Sequence, residues 1–255
     1  MESTLEDQLK NFFQLIKEGR TEEIYSILSE NPVIDSPVAG RFEGNDSVNE
    51  YLLQKKKWLD DYNATVDPFS TIVTNEAIVV EYNFFISVEG KTKDLPVAIV
   101  GMIERDSVKE IRIYYSTWPL YGKHSGRRPI LEENPGLFMP DIVRDYMNAI
   151  SGTDAEAVVK LFTESGYIRE PSGSEFTHIG EKGLRGFYSS AISGGGIPLK
   201  HCTCFTDGTR TAVEYNFSEW NGVKFPPEAG IAVYVTGNEG RLLAARVYDD
   251  ADPSR

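Results

Sequence analysis

A five-residue string occurs twice in this chain: Val80-Glu81-Tyr82-Asn83-Phe84 returns as Val213-Glu214-Tyr215-Asn216-Phe217. The offset, 213 − 80 = 133, is about half of the 255 residues. A repeat of that length is a duplicated domain and not a short stacking unit. The same spacing carries Phe13 onto Tyr146 and Gly19 onto Gly152. With slight slippage it also carries Pro37 onto Pro171, Gly44 onto Gly180, Tyr51 onto Phe187 and Arg112 onto Arg246. Two copies of one architecture are therefore expected, and chemistry should be sought where the copies differ.

Half of this chain is long enough to bury a core without staples. The formal charge of −13 argues against nucleic acid, which rewards a basic face. Lys55-Lys56-Lys57 is a short basic run, expected on the exposed face of a helix. No apolar run approaches the roughly 18 residues that a spanning helix needs. Glu2, Glu6 and Asp7 stand where a signal peptide would be basic and then apolar. A cytoplasmic protein without membrane or nucleic-acid partners is the expectation. Cys202 and Cys204, the two cysteines, lie two apart in one expected strand, which is poor geometry for a mutual disulfide. Cys-x-Cys with few neighbouring ligands gives no zinc set, so neither metal nor cofactor is expected.

Leu5, Leu9, Phe12, Phe13 and Ile16 mark one face of a first helix that Gly19 ends. A second helix begins near Thr21, and Val33-Ile34-Asp35 is extended. A third helix runs from Asp46 to about Asp60. Four strands follow, at 64–73, 77–88, 95–104 and 108–118, dense in Val, Ile, Tyr and Phe. Residues 121–140, rich in Gly and Pro without periodicity, read as a linker between a first domain at 1–120 and a second at 141–255. The second copy repeats the order, with helices at 141–150, 154–164 and about 181–192 before its strands. Helices followed by strands specify an α+β fold, with helices packed on one face of a curved, mostly antiparallel sheet. Such a sheet closed by a long helix makes a cone whose mouth is a natural pocket. The other sheet face needs a partner. The two cones are therefore expected to pack sheet against sheet as an internal pseudo-dimer, within either a monomer or a further homodimer.

The stretch 141–189 resembles the ketosteroid isomerase branch of the nuclear transport factor 2-like superfamily, which includes the SnoaL-like polyketide cyclases. The likeness is carried by Asp145-Tyr146-Met147-Asn148-Ala149, by Ala157 to Phe162, by Glu170-Pro171-Ser172-Gly173-Ser174-Glu175 and by Gly183 to Tyr188. It extends to the first copy at the level of fold. In those isomerases a helix tyrosine precedes a catalytic Asp set before a proline. Tyr146 matches the tyrosine, and Glu170 stands at the Asp position. The resemblance implies cone-shaped domains and acid–base chemistry without a cofactor on a small apolar carbonyl compound.

Moving a proton next to a carbonyl needs a carboxylate to take it and donors where enolate charge develops. Glu170 is the candidate base and Tyr146 the candidate donor, with Tyr215, Tyr234 and Phe187 as substrate-binding residues. The family's third polar member would fall near Ala232, inside an apolar run. His178, in the Glu170 loop, is a further titratable group. In the first copy Ser36 replaces the base and Phe13 the tyrosine, so that half reads as a degenerate site. Isomerisation, cyclisation and dehydration share the first step and are not separated by sequence. A non-catalytic binder of a small apolar ligand and a protein-interaction module remain alternatives on this fold.

Overall fold

The computed structural model describes residues 4–251, and the chain divides between Tyr115 and Ser116 into two units. The first opens with α1 (Leu5–Lys10), α2 (Phe12–Glu18) and α3 (Thr21–Tyr25). Thr4 and Asp7 form a capping box at the start of α1. The periodicity predicts one helix through Ile16, but the chain breaks at Asn11, whose side chain and backbone N–H both donate to the Asp7 carbonyl. Asn commonly competes with a helix in this way. Gly19 ends α2 at φ 73°, a left-handed cap that glycine adopts without strain.

Next come β1 (Leu28–Ser36), β2 (Gly40–Glu43), α4 (Asn45–Asp61), β3 (Thr65–Val73), β4 (Ala77–Val88), β5 (Lys91–Glu104) and β6 (Ser107–Tyr114). The second unit has α5 (Trp118–Tyr121), α6 (Asp141–Ile150), α7 (Ala155–Val159), β7 (Phe162–Arg169), β8 (Thr177–Ile179) and α8 (Gly180–Ala191). It closes with β9 (Lys200–Thr206), β10 (Arg210–Trp220), β11 (Val223–Thr236) and β12 (Leu242–Tyr248). The helix expected to reach residue 164 stops early, because Phe162 already pairs with Leu242 in the sheet. Neither cysteine forms a disulfide.

Both units are α+β with a six-stranded mixed sheet, and the strand orders correspond: β2-β1-β6-β5-β4-β3 and β8-β7-β12-β11-β10-β9. The registers correspond as well. Val80 pairs with Ile99 as Val213 pairs with Ala232. Asp35 pairs with Arg112 as Arg169 pairs with Arg246. One pairing in each sheet is parallel, β1 with β6 and β7 with β12. Parallel strands need a long crossover, and α4 with β3 to β5 supplies it in the first unit, as α8 with β9 to β11 does in the second.

The chain between Ser116 and Pro140 belongs with the second unit. Asp250, just past β12, anchors it. This buried carboxylate accepts from Ser116 Oγ at 2.8 Å, Thr117 N at 2.8 Å, Thr117 Oγ1 at 2.7 Å and Ser125 N at 2.8 Å. His124 Nδ1 lies 3.0 Å from it as well.

The interiors differ in filling. In the first unit Gly101 takes the place that Tyr234 takes in the second, and a Cβ there would meet Leu9 Cδ1 at 2.8 Å. Leu9 thus occupies the room of a large side chain, and Tyr82 donates to its carbonyl at 2.6 Å. Lys55, expected on an exposed face, is buried instead. Its Nζ stands 4.5 Å over the ring of Trp58, 5.5 Å over Tyr115 and 6.0 Å over Tyr51. No carboxylate among the described residues pairs with it. Burial depresses its pKa from 10.5 to about 8, so charge at neutral pH costs on the order of 3 kcal/mol. Cation–π contacts return about 1–2 kcal/mol of that, and a net cost remains.

Between pH 8 and 10.5 the unfolded chain binds more protons at this lysine than the folded one, so stability should rise with pH there. Lys55→Met should stabilise the first unit by about 1 kcal/mol at pH 7 and remove that rise. Hydrogen exchange of the α4 amides against pH checks both outcomes.

Candidate functional site

In the second unit, Glu170 follows the last residue of β7 and precedes the buried Pro171. Its amide donates to the Phe176 carbonyl at 3.0 Å, which holds the loop. Strand β8 returns antiparallel beside β7 and sets His178 opposite Ile168. His178 Nε2 then lies 2.6 Å from Glu170 Oε1. The imidazole stacks on Phe187 of α8, with centroids 4.8 Å apart and planes 26° apart. Glu170, His178, Lys182, Phe187 and Trp220 border an open cavity of about 900 Å³. The Glu170 side chain is 28% exposed, half-buried at the cavity wall.

Tyr146 lies deeper. Amphipathic α6 turns it into the core, where its hydroxyl meets that of Tyr188 at 2.9 Å. Its ring lies 5.2 Å from that of Tyr234. Burial pushes the pKa of Tyr146 up to about 12, with the Tyr188 hydrogen bond acting in the opposite direction. Tyr188, Tyr215 and Tyr234 are driven upward by burial too. All four are neutral hydroxyls at physiological pH, able to donate. They line an inner cavity of about 50 Å³ together with Phe187, Trp220 and Asp249.

Asp249 is the residue that sequence reasoning missed. It directly follows β12, is buried, and accepts the Tyr215 hydroxyl on Oδ2 at 2.9 Å. Its Oδ1 makes no hydrogen bond. Burial raises its pKa to about 6; the Tyr215 hydroxyl, the Ala251 amide and His124 act against that rise. Gly230 makes this pairing fit. A Cβ there would sit 2.8 Å from the Tyr215 ring and 2.8 Å from Asp249 Cβ. A third cavity, about 220 Å³, is bordered by Glu170 and Asp249 with Trp118, His124, Phe176 and Trp220.

The sequence-derived candidates are therefore distributed. Tyr146, Tyr215, Tyr234 and Phe187 border one inner space. Glu170 borders the outer and the middle cavity and not the inner one. Trp220 borders all three, its Nε1 fixed on the Ala191 carbonyl at 3.0 Å. Asp249 borders the middle and the inner one. The signal that could have found Asp249 is the repeat itself, which sets Tyr115-Ser116 against Asp249-Asp250. In the first unit Ser36 stands at the Glu170 position, buried and without a hydrogen bond from its hydroxyl. Among the described residues no cluster of His, Cys, Asp and Glu could hold a metal ion, and no helix is long and apolar enough to cross a membrane.

No protein-family model matches the chain, and no curated protein matches it. Among solved structures it is similar to an NTF2-like protein of unknown function from Cytophaga hutchinsonii, at 17% identity, TM-score 0.36, over 48% of this chain and 97% of that one. It is also similar to a candidate SnoaL-like polyketide cyclase from Jannaschia sp. CCS1, at 12% identity, TM-score 0.36, over 42% and 79%. A candidate polyketide cyclase from Sinorhizobium meliloti is similar at 11% identity, TM-score 0.34, over 40% and 88%.

Asp249 holds a proton in the folded chain up to about pH 6, against 3.8 in the unfolded chain. The folded state thus binds more protons between these values, and stability falls as pH rises through them. Asn keeps an acceptor for Tyr215 and carries no charge. Asp249→Asn should stabilise the second unit by on the order of 2–3 kcal/mol at pH 7.5 and change little at pH 4. Paired thermal melts at the two pH values check this.

Proposed function

We propose that the second unit takes a small, largely apolar carbonyl compound and removes a proton from the carbon beside the carbonyl. The observation that carries this reading is the polarity of two cavities that share the walls Phe187 and Trp220. A carboxylate, Glu170, borders the outer, open one, and four tyrosine hydroxyls border the inner one. In this reading Glu170 accepts the proton, the C–H electrons become the new C=C bond, and negative charge moves to the carbonyl oxygen. Tyrosine hydroxyls then meet that oxygen in a space too small for water to crowd it. The inner cavity, about 50 Å³, fits an oxygen and its carbon, with the rest of the molecule in the outer one. His178 on Glu170 Oε1 steers the second carboxylate oxygen. Isomerisation, cyclisation and dehydration all begin this way.

A second reading, a binder of small apolar ligands without turnover, is favoured by one observation. Glu170 and Tyr146 border different cavities. The same assay separates the two readings. The chain in D2O should catalyse exchange of the protons beside the carbonyl of cyclohexenone, followed by NMR. Glu170→Gln should slow exchange by about 10²–10⁴-fold. Tyr146→Phe should slow it by about 100-fold, the usual worth of one donor at an oxyanion. Ser36→Ala, in the first unit, should leave the rate unchanged. Exchange that survives Glu170→Gln removes that residue as the base. Tight binding of 2-naphthol, an enolate mimic, without any exchange leaves the binder reading.

A further inference from the structure

The middle cavity has a lining unlike its neighbours. It presents two carboxylates, Glu170 and Asp249, to a space of about 220 Å³. Aromatic faces supply most of the rest: Trp118, Trp220, Phe176 and the His124 ring. Among the described residues lining it there is no lysine or arginine. Asp249 is 5% exposed, and its Oδ1 makes no hydrogen bond. An uncompensated buried acceptor is costly unless a ligand supplies the donor. Trp118 is 39% exposed and stacks on His124, with centroids 5.2 Å apart and planes 26° apart. Asp250 holds His124 directly, and Trp118 through Ser116 Oγ, which accepts from the Trp118 amide and donates to Asp250. Buried carboxylate, aromatic walls and the lack of lysine and arginine are the composition that recognises an organic ammonium group.

We propose that this cavity is a subsite for a protonated primary or secondary amine, whose N–H donates to Asp249 Oδ1 while its carbons lie against Trp118 and Trp220. The inference rests on the second unit being a small-molecule site, and it narrows the substrate class: an apolar carbonyl compound that also carries a basic nitrogen. A quaternary ammonium lacks the N–H that Oδ1 requires. A carboxylate-bearing ligand would face two like charges. The raised pKa of Asp249 reflects burial that the Tyr215 hydroxyl, the Ala251 amide and His124 offset only in part, and a bound cation would offset more of it. The other titratable groups facing the site are Glu170, which carries His178, and His124, with Asp250, Tyr215 and Tyr234 behind them. Neutralisation of Asp249 below about pH 6 should therefore weaken binding.

Benzylamine, benzyl alcohol and benzoate are matched in size and differ in charge at pH 8. Calorimetric titration of the full chain, with Trp fluorescence quenching alongside, should give benzylamine at least about tenfold tighter than benzyl alcohol, with benzoate unbound. Asp249→Asn should erase the preference, and Trp118→Leu, at an exposed position, should reduce it without touching the core. Circular dichroism confirms that both variants fold. Equal affinity for amine and alcohol, or a preference surviving Asp249→Asn, overturns the proposal. Binding of 2-naphthol without binding of benzylamine overturns the amine subsite alone. Failure of both ligands overturns the small-molecule reading beneath it.

Discussion

The second unit's polar site depends on one pairing, the parallel contact between β7 and β12. Parallel strands point the same way, so their carboxyl ends emerge at one end of the sheet. With Arg169 set opposite Arg246, the chain leaving β7 at Glu170 and the chain leaving β12 at Asp249 open on the same side. An antiparallel neighbour would have sent one of them to the far end. The cavity bordered by both carboxylates is the direct product of that direction and register. The crossover that parallel pairing demands then brings α8 and β10 over the same end, with Phe187 and Trp220.

The first unit keeps the direction and register and loses the chemistry. Its parallel pair β1 and β6 opens on Ser36 and Tyr115 where the second unit has Glu170 and Asp249. Leu9 fills the room beside Gly101, and the Lys55 ammonium sits among three aromatic rings. Where the second unit leaves space between aromatic walls, the first places its own cation against aromatic faces. The pairing persists because both copies keep the alternation of buried and exposed residues that sets register. The filling is free to diverge, and it has.

The repeated string was enough to read the frame, because strand pairing follows hydrophobic alternation and both copies retain it. Helix limits were read less well. Asn11 breaks a helix through a local hydrogen bond that periodicity does not register. Lys56 and Lys57 beside it disguise Lys55 as part of a solvated run. Its position on α4 places it with Val48, Tyr51, Leu52 and Leu59, the buried stripe of that helix. Glu170 and Tyr146 stand out in the sequence as candidates, but the pattern does not register that they border different cavities. Depth within a cone is set by tertiary packing, which a one-dimensional pattern cannot order. Asp249 was illegible as a buried group because an Asp-Asp pair at a strand end normally faces water. Its burial comes from residues far away in sequence, Tyr215 and the segment that Asp250 anchors.

Asp249 and Asp250 show how two adjacent carboxylates acquire opposite characters. Asp250 is as buried as its neighbour, yet five donors converge on its oxygens. A carboxylate so satisfied is a fastening, and its charge is matched by oriented N–H and O–H dipoles. Asp249 receives the Tyr215 hydroxyl, with the Ala251 amide close by, and keeps Oδ1 without a hydrogen bond, beside two cavities. A fold that needed only a fastening had the donors within reach and gave them to Asp250. Leaving Asp249 short of donors weakens the folded state at neutral pH, and such a deficit persists where a ligand makes it good. The contrast between the two residues, and not the burial of either, is what singles out the end of β12 as the proposed amine subsite.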